Sequence, residues 1–158
     1  MIQEQIIVSN VLKQEGFRMN WMDILKQHIS YTAVVLDKAS RRELLGLDIP
    51  EGWERVAHHM TITMGALVHA KGKHDYSENY PVGKEITLEI VGVGKDDKVM
   101  AVEVRPPAPI SPKIKFPHIT VAVNREGGGK PFHAGYLNFE DFEPMGGTLK
   151  GIVTEVPQ

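Results

Sequence analysis

The 158-residue chain contains no cysteine. That absence excludes a disulfide framework, a thiolate metal site and a cysteine nucleophile. No apolar run approaches the ~18 residues that a membrane-spanning helix needs, so no membrane partner is expected. The first residues, Met1-Ile2-Gln3-Glu4-Gln5, lack the basic stretch that opens a signal peptide, and a cytoplasmic protein is expected. An excess of one charge is missing too: 18 Lys and Arg stand against 20 Asp and Glu, for a net charge of -2. Binding of bulk DNA through counterion release calls for a cationic excess, so it is not expected. A small anionic ligand held by a few local cations suits this balance. Short-period tandem repeats, an HExxH helix and Walker-loop spacing are also absent from the sequence.

What is present is a globular composition, 42% hydrophobic and 24% charged, in a chain long enough for one self-sufficient domain. The pattern changes near residue 30. Residues 1–29 read as an N-terminal helical extension. In it Ile6, Ile7, Val11 and Leu12 cluster before Gly16, and Asn20 with Asp23 resembles a cap opening a second helix as far as Ile29. Residues 30–158 read as the body. Runs rich in β-branched residues predict strands over 31–36, 59–64, 84–93, 99–104, 118–123 and 149–156. A helix is predicted over 39–47, with Asp37 or Ser40 as its cap, and a hairpin turn over Gly94 to Asp97. Arg105 to Pro117 holds five of the ten prolines and reads as a loop. The class is α+β, with a mostly antiparallel sheet.

Two of these strands carry chemistry. One reads His58-His59-Met60-Thr61-Ile62-Thr63, the other Pro117-His118-Ile119-Thr120-Val121. Side chains alternate along a strand, so His59 shares a face with Thr61, and His118 with Thr120. Met60, Ile62, Ile119 and Val121 then point the other way, into a core. Two histidines suffice for general acid–base cleavage of a phosphodiester: one imidazole takes a proton from the nucleophile, and the other gives one to the leaving oxygen. The threonine hydroxyls can donate to non-bridging oxygens as charge builds up on them. His58 is expected to face away from His59 as a packed or capping residue. Lys113, Lys115 and Lys130 are candidate phosphate contacts, or plain surface lysines. Tyr31 is a base-stacking candidate or a packing residue, and Trp53 and Phe116 read as core. The histidines at 58, 59, 69 and 74 lack a ligand-spaced carboxylate pattern, so no metal and no cofactor are expected.

The doubled His-x-Thr motif, with its contexts Ala57-His58-His59-Met60-Thr61-Ile62 and Pro117-His118-Ile119-Thr120-Val121-Ala122-Val123-Asn124, resembles the 2H phosphoesterase superfamily. It is similar in particular to the 2H cyclic phosphodiesterase domains of RNA-repair and tRNA-ligase proteins. Gly128-Gly129-Lys130-Pro131 shares that character, and the likeness spans roughly Tyr31 to Val156. The resemblance implies a bilobal, pseudo-twofold pair of antiparallel sheets with helices outside, lining a central cleft with one motif from each lobe. It implies a metal-independent phosphodiesterase with His59, Thr61, His118 and Thr120 as catalytic residues, His118 as base and His59 as acid. The implied partner is a nucleotide or oligonucleotide substrate, by default an RNA end bearing a 2′,3′-cyclic phosphate. Cleavage of cyclic or 2′–5′-linked oligonucleotide signals and a non-catalytic nucleotide-binding domain are the alternatives.

Overall fold

The computed structural model describes Trp21, Ile24 and residues 28–158. Most of the helical extension expected over 1–29 lies outside the described residues; Trp21 is exposed, Ile24 is buried, and Ile29 already belongs to the first strand. The strands are β1 (Ile29–Leu36), β2 (Glu54–Arg55), β3 (His59–Met64), β4 (Glu85–Lys95), β5 (Val99–Arg105), β6 (His118–Val123), β7 (Glu143–Pro144) and β8 (Thr148–Pro157). One helix, α1 (Lys38–Leu45), follows β1, and two 3-10 helices span Pro131–Tyr136 and Phe139–Asp141. The predicted turn over Gly94 to Asp97 lies slightly later. β4 runs to Lys95, and the Asp96 carboxylate accepts from the amides of Lys98 and Val99.

Every strand pairing is antiparallel. The order β6-β3-β1-β8-β4-β5 closes on itself through the β5–β6 pair, with β2 added to β6 and β7 to β4. The sequence predicts the α+β class and the antiparallel pairing; the six-stranded ring is the additional finding. Alternation fills its interior. On β4, Ile86, Leu88 and Ile90 are buried while Glu85, Thr87 and Glu89 are exposed. Met60, Ile62, Ile119 and Val121 are fully buried in the same core, as the alternation predicts. Leu44 of α1 joins them. Asp37, not Ser40, caps this helix by accepting from the Ser40 amide at 2.8 Å, while the Ser40 hydroxyl accepts from the Lys150 amide and ties α1 to β8. A second cluster, with Val99, Val123, Leu137 and Phe139, holds residues 131–142 against the sheet.

The ring is tightest around β1 and loosest between β3 and β6, where Met60↔Ile119 is the one register pair. Between the pairs Arg55↔Ala122 and Met60↔Ile119, the β2–β3 side carries two more residues than β6. Ala57 absorbs the excess. It takes φ 41°, a left-handed conformation that costs a non-glycine residue about 1–2 kcal/mol, and donates its amide to Thr120 at 3.0 Å. Beyond Met60 the strands part, and the proline-rich loop takes over the pairing: the Ser111 amide donates to the Ile62 carbonyl at 2.9 Å. The seam is thus opened on its outer face, and loops wall the opening.

Candidate active site

Met60 and Ile119 are the middle residues of the two His-x-Thr motifs. That pair brings the two motifs side by side in antiparallel sense. A local two-fold passes between the strands at that pair. All four side chains line one cleft of about 810 Å³ on the outer face of the seam. Its walls come from the hairpin turn carrying His69, Lys73 and His74, from Ser111 to Ile114, and from Pro131 to Gly135.

The imidazoles are held differently. His118 places Nδ1 2.7 Å from the Phe116 carbonyl. A carbonyl only accepts, so Nδ1 carries the proton, and Nε2 of the neutral ring keeps its lone pair. That is the state a general base requires. Burial lowers the His118 pKa, with the Phe116 bond opposing it. The neutral form therefore comes from burial. His59 is pushed down to about 4, chiefly by burial and then by the neighbouring His58 and His118 charges. Its ring stacks on Tyr31 with centroids 4.8 Å apart.

His58 departs from expectation. It is exposed and turns toward His59, edge to ring, with Nδ1 3.0 Å from the His59 Nδ1. The left-handed Ala57 precedes it, so strand alternation begins only at His59 and does not govern its direction. A single proton fits between two nitrogens at that distance. When His59 is charged, its Nδ1–H donates to His58, and its Nε2–H is left for the cleft.

Of the other expected contacts, Lys113 lines the cleft, while Lys115 and Lys130 are not among the lining residues. The Lys115 ammonium lies over the Phe116 ring at 5.4 Å, and the Lys130 amide donates to His133 Nδ1 at 2.9 Å. Tyr31 meets His59 rather than the cleft itself. Phe116 stacks on Phe139 at 4.8 Å, and Trp53 packs on the main core, as expected. Sequence reasoning missed Tyr80, which is fully buried and whose hydroxyl donates to the Ala108 carbonyl and accepts from the Ala108 amide at 3.2 Å. It anchors the proline-rich loop to the core. Among the described residues, no group of three or more His, Asp or Glu side chains is placed to hold a metal ion, and no helix is long and apolar enough to cross a membrane.

No protein-family model matches the chain, and no curated protein matches it. Among solved structures, the chain is similar to one described as a fungal RNA kinase, at 12% identity and a TM-score of 0.44. That match covers 98% of this chain and 55% of the other, so this chain spans about half its length. The chemistry of the cleft rests on its own geometry.

Proposed function

We propose that the protein is a metal-independent phosphodiesterase of the 2H type, acting on nucleotide phosphodiesters, with RNA ends bearing 2′,3′-cyclic phosphates as its default substrate. One observation carries the reading: two His-x-Thr strands meet at the Met60↔Ile119 pair, with all four polar side chains in a single cleft. The local two-fold also supports the pseudo-twofold arrangement implied by the sequence resemblance. His118 Nε2 takes a proton from water as the water oxygen attacks phosphorus. The bond from phosphorus to the leaving oxygen breaks, and His59 Nε2–H gives that oxygen its proton. Thr61 and Thr120 donate to the non-bridging oxygens. Burial and the neighbouring histidines hold His59 low, and the negative charge of a phosphodiester substrate raises it into service as an acid.

The test is turnover of a 2′,3′-cyclic mononucleotide and of a cyclic dinucleotide, side by side, with EDTA present. Hydrolysis of either by the wild type, lowered about 10²-fold or more in His59→Ala and in His118→Ala, is expected. The double variant should lose far less than the product of the two, because the pair acts as a unit. Full activity in either single variant, or its abolition by EDTA, sinks the proposal.

A further inference from the structure

The cleft extends well past the two motifs. Its volume lies in the upper part of the range for small-molecule sites. In a chain whose acidic residues outnumber its basic ones, none of the described residues lining it is a carboxylate, whereas Lys73, Lys113, His69 and His74 all are lining residues. Three of these four come from one small hairpin. Val68 bridges to Asp75, the His69 amide donates to the His74 carbonyl at 2.9 Å, and the Gly72 amide donates to the His69 carbonyl. Gly72 takes φ 77°, which lets the turn close that tightly.

The hairpin is braced at its base. His74 Nε2 donates to the Ala66 carbonyl at 2.8 Å, and the Leu67 amide donates to Glu155. The Lys71 amide donates to His69 Nδ1 at 3.0 Å, so neutral His69 carries its proton on Nε2 and is a donor. Burial, followed by the positive neighbours His74, Lys73 and Lys71, holds His69 below its ordinary pKa. Lys73 and His69 thus offer an anion a cation and an N–H donor at this end of the cleft.

We propose that this hairpin, through Lys73 and His69 and together with Lys113, is a second phosphate-binding subsite that takes the neighbouring phosphate of an oligonucleotide whose scissile phosphate lies at the two histidines. The inference rests on the phosphodiesterase reading for the identity of the first phosphate. It narrows the substrate class to chains of two or more phosphates, whether an RNA end or an oligonucleotide signal. A cyclic mononucleotide then fills only the catalytic half of the cleft.

The experiment is binding, not turnover. Adenosine 3′-monophosphate and the trinucleotide ApApAp, which ends in a 3′-phosphate, are titrated against the wild type, Lys73→Gln and Lys113→Gln, with Lys95→Gln as a control outside the cleft. The wild type should prefer the trinucleotide. Lys73→Gln should weaken the trinucleotide about 5–10-fold, leave the monophosphate within about twofold, and flatten the salt dependence of trinucleotide binding by about 0.7 in slope, one single-strand phosphate contact. Equal losses on both probes would place Lys73 at the first phosphate and overturn the subsite, as would no loss on either. If no phosphodiester is hydrolysed, yet trinucleotide preference still depends on Lys73, the phosphodiesterase reading falls and the subsite stands.

Discussion

At the scale of single residues, the two imidazoles differ in what holds Nδ1. The Phe116 carbonyl holds His118, and His58 holds His59. Removing the His58 ring should therefore damage the acid step specifically. We expect His58→Ala to lower kcat about tenfold on a cyclic phosphate and much less on a p-nitrophenyl phosphodiester, whose leaving oxygen needs little protonation. His58→Asn, which returns an acceptor near the same place, should restore most of the rate. Equal loss on both substrates would remove the acid from His59. For the hydroxyls, Thr61→Val and Thr120→Val should each cost kcat the equivalent of up to about 3 kcal/mol, while KM moves little. Burial lowers both histidines, and the negative charge of a phosphodiester substrate raises them. The kcat profile should accordingly peak at a higher pH than that of kcat/KM.

At the scale of elements, the cleft depends on how its walls are fastened. Tyr80 fastens the loop that carries Ser111 to Ile114. Tyr80→Phe leaves the Ala108 amide and carbonyl without that partner, at a cost of about 1–3 kcal/mol read by urea unfolding. KM should rise with it, because one wall of the cleft loosens. Unchanged KM would show that the loop holds its place without the tyrosine. The strands bearing the motifs were legible in the sequence to the residue, because half-buried polar and fully buried apolar side chains alternate over the first four residues of β3 and of β6. β2 and β7, at two residues each, are too short to show a period. The 3-10 helices owe their place to packing of Leu137 and Phe139 on the sheet, and the β1–β8 and β3–β6 pairs of the ring join strands far apart in the chain. The direction of His58 was hidden because it follows from the backbone at Ala57.

At the scale of the whole molecule, the same burial that prepares the site makes the fold sensitive to acid. His59 has its folded pKa near 4, below the 6.5 of an unfolded histidine. The unfolded chain therefore binds more protons between those values, and stability falls as pH drops from 6.5 toward about 4. At about 1.36 kcal/mol per unit, this one residue accounts for up to about 3 kcal/mol. Urea unfolding at pH 7.5 and pH 5 should show the loss in the wild type and a smaller one in His59→Asn. Equal losses would mean that the His59 ring is open to water in solution.

The local two-fold at the Met60↔Ile119 pair is broken at its periphery, by the Phe116 carbonyl on one side and by His58 and Tyr31 on the other. That inequality gives the cleft a hand. A tetrahedral phosphorus between a fixed base and a fixed acid presents its two non-bridging oxygens to different threonines, so they are no longer equivalent. A phosphodiester in which sulfur replaces one of these oxygens becomes a pair of diastereomers. If the proposed function holds, the protein should consume one of them far faster than the other, with a single inversion of configuration at phosphorus.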